Sequence, residues 1–416
     1  MFEDRRENRE YSRQHIFFSI LPLKLPMFLM VYFFGLIVIS IDAYTQSTTN
    51  KKISVILITD LYHPYQDPGD NFDLVAAFAL PEIDLKAIIL DCSEVFRKPY
   101  AYDAGKGLYP DNSGPRDPGF IPVLQLNYIF GRRVPVATGP FSTMKNTNDK
   151  MFDVPAFQQQ GIELILKTLR ESEEPLQIAS FGSARTIAAA YNRDSILFMK
   201  KVKEIHLSAG TSEPLFLEWN VALDTNAIVC LLRSHLPVSI YPCAAANADS
   251  MAYGSKNYPF SYDSHNTYYK LPNLSFIEKM DSKLKRYLKY AFGRAKRNDF
   301  LRCMDSDTIF SINEQIFSHE HFVWETSLWV NVSGRKLVKA QDGSYYIKPA
   351  SETSKFDKIL PNDLRPCKLK VENSGLFSFH EIEGNSNFHI FYRGDIKENE
   401  KAFRIALPNL YLSFKP

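Results

Sequence analysis

Three aspartates, Asp67, Asp70 and Asp73, stand in "QDPGDNFDLVAAFAL", between a Pro-Gly pair and an apolar run. Acid residues open helices routinely, because a carboxylate accepts from unsatisfied backbone N–H groups and opposes the helix dipole. One or two suffice for that. Three on one short stretch repel one another unless a cation sits among them. Hard oxygen ligands with no cysteine nearby favour Ca²⁺ or Mg²⁺ over zinc. Asp70 and Asp73 are three apart and share a face if a helix begins there, with Asp67 across the Pro-Gly turn. On spacing alone, the ordinary alternative is a helix cap with the remaining acids in water.

The elements that would position these acids form an alternating series. "ISVILIT" (53–59) reads as a buried strand, "NFDLVAAFAL" (71–80) as a helix and "DLKAIILD" (84–91) as a strand. A Gly/Pro/Asp-rich loop (103–121), a helix over 121–131 and a short strand in "VPVATG" (134–139) follow. "AFQQQGIELILKTLRES" (156–172) is an amphipathic helix, with Ile162, Leu164, Ile165 and Leu169 on its apolar face. Strands at 176–182, 202–210 and 236–243 then alternate with helices in "SARTIAAAYN" and "DTNAIVCLLRSH". Near-continuous apolar strands between helices indicate a Rossmann-like α/β fold, a mostly parallel sheet covered on both faces. In such sheets ligands bind beyond the carboxyl ends of the strands. The informative residues are therefore Asp60 to Asp73, Ser93 and Glu94, Gly139, Phe181 to Ser183, and Gly210 onward.

Residues 244–323 turn irregular and rich in Tyr, Asn and His, as an insertion over the strand ends would. From 330 onward, "WVNVSGRKLVKAQDGSYYIKP" and "GLFSFHEI…FRIALPNLYLSF" alternate at period two, which predicts a β-rich extension over 341–416. Lys and Arg total 49 against 47 Asp and Glu, with no basic stripe, so no nucleic-acid partner is expected. Five dispersed cysteines without a CxxC pair exclude a zinc site and a dense disulfide framework, leaving room for one bridge. At the N-terminus an Arg-containing polar stretch precedes "LPMFLMVYFFGLIVIS", uncharged for 16 residues. Residues 1–43 thus read as a signal peptide or an N-terminal anchor (25–41), with the remainder exported and touching membrane only through this segment.

Several segments, in order, resemble the inosine–uridine-preferring nucleoside hydrolases. "ILITD…QDPGDNFDLVAAFAL" is similar to that family's strand, Asp-x-Asp-Pro-Gly-x-Asp-Asp motif and apolar helix. "GRRVPVATG" resembles its short central strand, and "LQIASFGSARTIAAA" its Gly-Pro-Leu-Thr-Asn-Ile-Ala segment. "VKEIHLSAG" and "FLEWNVALDTNAIVCLLRSHLPVSI" resemble its Met-Gly-Gly strand and its Glu-Phe-Asn…Asp segment. The match covers roughly 53–340, so a hydrolase-like domain is expected over 51–340 with 244–323 as its lid region.

What the resemblance implies is a hydrolase of ribonucleosides or related ribosyl substrates that holds one Ca²⁺. Asp67 would be a calcium ligand that also takes a proton from the attacking water. Asp73, the Phe181 main-chain carbonyl and Glu325 would complete the metal set, with Asp60 supporting the loop from behind. Glu218 and Asn220 would hold the ribose hydroxyls, together with Asp70 or Asn71. A homo-oligomer is also implied, since family relatives are commonly dimers or tetramers. The chain departs from the pattern in three places. "PGDNFD" is one residue longer, "LYHPYQ" separates Asp60 from Asp67, and Trp324 replaces the histidine beside the last ligand. Protonation of a leaving base would then fall to another donor, with His265 and Tyr268 as candidates. The same departures favour an alternative, a nucleoside- or sugar-binding protein that has lost turnover.

Overall fold

The chain's order of buried runs reappears as alternating strands and helices. The computed structural model describes residues 51–61, 68–93, 117, 119–212, 216–244, 263–292, 299–305, 317–323 and 326–416. The N-terminal segment 1–43, Asp67, Glu94 and the pair Trp324–Glu325 lie outside the described residues.

The first half of the chain runs β1 (Ile53–Thr59), α1 (Pro68–Ala79), β2 (Ile83–Leu90), α2 (Phe120–Ile129), β3 (Val136–Thr138), α3 (Ala156–Glu171) and β4 (Leu176–Phe181). It continues through α4 (Arg185–Arg193), α5 (Ser195–Lys201), β5 (Val202–Ser208), α6 (Trp219–Leu223), α7 (Thr225–Leu232) and β6 (Val238–Tyr241). Beyond these come β7 (Tyr269–Leu271), α8 (Ser282–Phe292), β8 (His321–Val323), α9 (Ser327–Val332), β9 (Lys336–Lys339), β10 (Tyr345–Lys348) and β11 (Lys358–Ile359). The last elements are β12 (Asp363–Val371), β13 (Phe377–Glu381), β14 (Phe388–Tyr392) and α10 (Ile396–Ser413).

Nine strands form the main sheet in the order β13-β12-β14-β6-β5-β4-β1-β2-β3. From β3 to β14 all pairings are parallel, while β12 is antiparallel to both β13 and β14. The expected α/β architecture is what the chain adopts. Side chains of β1 alternate between two cores, as strand geometry requires. Val55 and Leu57 pack with α1, α8 and α10, whereas Ile56 and Ile58 pack with α3, α4 and α7. Successive strands β1, β2 and β3 run to one side of β1, and β4 returns to its other side. The chain therefore reverses direction between β1 and β4, and such a switch point opens a crevice at the strand ends.

Parts distant in sequence share the core above α1. Phe72 of α1 stacks on Tyr411 of α10 with ring centroids 4.5 Å apart, and Phe276 and Phe292 of the 244–323 segment approach it at 5.6 and 6.3 Å. The Tyr269 hydroxyl donates to Asn399 Oδ1 of α10 at 2.9 Å.

Two readings of the C-terminal part are corrected. "FRIALPNLYLSF" is not a strand but the end of α10, and "WVNV" closes α9. Asp395 caps α10 by accepting from Glu398 N at 2.7 Å, and Ala402, Phe403, Ala406, Leu407, Leu410 and Tyr411 form one buried stripe. That is helical spacing, which a short apolar run can mimic as alternation. Pro408 removes the hydrogen bond to the Arg404 carbonyl, which lies on the exposed side of the helix. Strands β12 to β14 extend the main sheet, and β9 to β11 form a separate three-stranded one. All five cysteines are described and no disulfide joins them. Among the described residues no helix is long and apolar enough to cross a membrane.

Candidate functional site

The described acids of the motif follow the carboxyl end of β1, the strand beside β4. Thr59 pairs with Phe181 at the last rung of the two strands. Asp60 follows directly and is 8% exposed. Proline at Pro68 suits a first helical position, where no N–H is needed. The next turns of α1 carry Asp70, Asn71 and Asp73, which are 7%, 0% and 1% exposed. Solvated helix-opening acids would stand in water, and these do not. Burying carboxylates costs free energy unless charge or hydrogen bonds compensate them.

Two phenols from remote segments close over this turn. Tyr287 of α8 donates to Asn71 Oδ1 at 2.9 Å. Burial pushes the Tyr287 phenol far above its usual value, and the Asp70 charge pushes it further. Tyr411 of α10 is likewise raised by burial, with Asp73 adding to the effect. Neither phenol was anticipated from the sequence, because nothing local marks which of many tyrosines returns to α1.

On the other side of β4, the end of β5 presents Gly210, Glu218 and Asn220. Glu218 is the cap of α6, accepting from Asn220 N at 3.0 Å, Val221 N at 3.4 Å and Gly210 N at 2.7 Å. The Asn220 amide donates to the Ser208 carbonyl at 2.9 Å. Both residues are only 4% exposed, so Glu218 is not a surface acid. Gly210 has φ +90° and a Cβ there would strike the Phe377 ring of β13. The C-terminal strands thus back the Glu218 turn directly.

Burial raises the Glu218 carboxyl to about 7, against the backbone hydrogen bonds of Gly210, Asn220, Val221 and Trp219 that favour its ionised form. A carboxyl raised in the folded state gives stability that is full below its unfolded value and lost as pH rises through the folded one. Wild type should therefore lose roughly 3 kcal/mol relative to Glu218→Gln between about pH 4.5 and 7. Urea midpoints of the two proteins across that window measure the difference.

The described members of the sequence-derived set lie at the ends of three neighbouring strands. Asp60, Asp70, Asn71 and Asp73 sit after β1, Phe181 ends β4, and Glu218 and Asn220 follow β5, three adjacent strands of one sheet. Asp67 and Glu325 lie outside the described residues. Their flanks do not. Asp67 precedes the first residue of α1, and β8 and α9, on either side of 324–325, both pack against α1. Among the described residues no group of three or more His, Cys, Asp or Glu is placed to hold a metal ion. The described donors that would contribute are a buried carboxylate, Asp73, and the main-chain oxygen of Phe181. These are hard ligands of the kind calcium takes, so the donor chemistry fits.

His265 is engaged elsewhere. Its ring contacts Asp263 Oδ1 at 3.2 Å and Glu381 Oε1 at 2.7 Å. Although burial opposes it, these two acids hold the imidazole above its usual pKa. Tyr268 is buried against Phe322, with ring centroids 4.9 Å apart. Sequence reasoning also passed over Asp91, the last letter of "DLKAIILD". The same strand-end position that marked Asp60 would have marked it.

No protein-family model matches the chain. It is 29% identical over 183 residues to the pyrimidine-specific ribonucleoside hydrolase RihA of Escherichia coli O127:H6, covering 41% of this chain and 56% of that protein. The protein of the same name from Citrobacter koseri is 28% identical over 195 residues, with the same coverage. Over this stretch the chain is similar to these ribonucleoside hydrolases. It spans about half, 56%, of the length of the curated hydrolases it matches. Among solved structures, a purine-preferring ribonucleoside hydrolase from Gardnerella vaginalis aligns over 86% of this chain and 99% of its own. The identity there is 12% and the TM-score 0.48.

Proposed function

We propose that this protein is a calcium-dependent hydrolase that cleaves the N-glycosidic bond of a ribonucleoside or related ribosyl substrate. The observation that carries the reading is the burial of Asp70, Asn71 and Asp73 at one strand end and of Glu218 and Asn220 two strands away. Five polar side chains withdrawn from water lie where ligands bind in such a sheet, beyond the carboxyl ends of neighbouring strands. The curated relatives named as ribonucleoside hydrolases support the bond class.

Asp73, Asp67, Glu325 and the Phe181 carbonyl would hold one calcium ion. Such an ion supplies Lewis acidity toward the attacking water and the ribose hydroxyls. Asp67 would accept the proton of that water as general base. Glu218 and Asn220, with Asp70 or Asn71, would orient the ribose diol, which matters for a reaction passing through an oxocarbenium-like state. Asp60 supports the loop from behind the ligands. Export or anchoring through the N-terminal segment belongs to the same proposal, as does assembly into a homo-oligomer.

A second reading is a binding protein without turnover. It is favoured by the engagement of His265 with two carboxylates, which leaves that ring unsuited to protonate a departing base. The purified protein, incubated with a panel of purine and pyrimidine nucleosides, is expected to release base and ribose, to stop on chelation and to resume with added calcium. Calcium and nucleoside bound without any release of base would select the binding protein instead.

A further inference from the structure

The turn after β4 is braced in a way the resemblance does not prefigure. Asp91 directly follows β2 and is 2% exposed. Its N–H donates to the Thr59 carbonyl at 2.8 Å, tying it to the end of β1. In the strand order β4-β1-β2 its side chain then reaches past β1 to the turn after β4. There Oδ1 accepts from the Ser183 hydroxyl at 3.0 Å and Oδ2 accepts from the Ser183 N–H. The same Ser183 hydroxyl accepts from Arg185 N at 3.3 Å. Gly182, between Phe181 and Ser183, has no room for a side chain, since a Cβ would strike the Asp91 carboxylate.

In the motif that "FGSARTIA" resembles, proline follows the glycine. Proline fixes φ but offers no N–H. Here serine stands in that place and gives two donors to a single carboxylate. Hydrogen bonds to an ionised acceptor are the stronger kind, and a bidentate pair fixes direction as well as distance. An electrostatic restraint stands here where that motif has a covalent one.

We infer that Asp91 is a positioning residue which, through Ser183, fixes the turn that presents the Phe181 main-chain carbonyl and thereby sets the affinity of the site for calcium. This rests on the reading of that carbonyl as a metal ligand. Outer partners that orient metal ligands change metal affinity by about tenfold to a hundredfold when removed. Asp91→Ala is expected to weaken calcium binding by about tenfold or more.

The test is calorimetric titration of the full-length protein with calcium chloride, for wild type, Asp91→Ala, Asp91→Asn and the double variant Asp91→Val with Ser183→Pro. The single variants should bind more weakly while keeping the near-ultraviolet dichroism of wild type. The double variant, which supplies the ring, should recover most of the affinity. A carboxylate with a purely structural role would give no such recovery. Hydrogen exchange of the Ser183 amide in chelator supplies a metal-free readout and should accelerate in Asp91→Ala. Wild-type affinity in folded Asp91→Ala, or unchanged Ser183 exchange, overturns the brace. Failure of wild type itself to bind calcium overturns the metal reading beneath it, whatever the exchange rates show.

Discussion

Asp73→Asn is expected to lower kcat/KM for nucleoside hydrolysis by about a thousandfold or more, the scale of losing one charged group that stabilises a transition state. Asp73 is the more deeply buried of the motif's two described acids, 1% exposed in the second turn of α1 near Tyr411. Asparagine keeps the shape and removes the charge. With calcium at about a hundred times its Kd, wild type should gain about 2.7 kcal/mol and the variant little. Urea midpoints with and without calcium separate the outcomes. A variant stabilised by calcium as strongly as wild type would remove Asp73 from the metal set.

Loss of Arg185 should be as costly to the fold as loss of Asp73 is to turnover. Its guanidinium and the Asp224 carboxylate are both 0% exposed and meet at 2.8 Å. The remaining guanidinium donors bond the carbonyls of Pro140 at 2.9 Å, Phe141 at 3.1 Å and Leu223 at 2.8 Å. Asp224 in turn accepts from Met144 N at 2.8 Å and caps α7 through Ala227 N at 3.1 Å. One ion pair thus joins the loop after β3, the start of α4 and the junction of α6 with α7. Removing one partner of such a pair leaves a buried charge uncompensated, which costs about 3–5 kcal/mol. Arg185→Met is expected to show that loss in urea unfolding. Adding Asp224→Asn should return part of it, because the stranded charge is then gone, though the cap of α7 is weakened. A loss in the double variant equal to the sum of the two singles would mean that the pair is not coupled.

The strands that build the site were legible because they are buried on both faces. "ISVILIT" and "LQIASF" need no partner pattern to be read, since continuous apolar runs bounded by turns have few other uses. The end of the chain was not legible for the converse reason. In "FRIALPNLYLSF" the apolar residues satisfy period two nearly as well as a helical repeat, and Pro408 argues locally against a helix. Only packing of Phe403, Leu407 and Tyr411 against the core above α1 decides between them. Candidate acids were found where their position in the chain marked them, after a strand or before a helix. Asp91 was missed although it has that position, and Tyr287 and Tyr411 because they have no such mark.

By itself, then, the sequence determined the alternation of strands and helices over residues 53–243, the side of the sheet on which chemistry belongs and the residue types available there. Each of these is set by neighbours within a few positions, through apolar runs, turn residues and helix starts. Tertiary structure alone decided that Asp70, Asn71 and Asp73 are withdrawn from water, and that segments from both later parts of the chain close over them. It also decided that Glu218 is held by the N–H of Gly210, with Phe377 behind. Burial is a property of what the rest of the polymer does, and contacts between residues hundreds of positions apart leave no periodic trace in the chain.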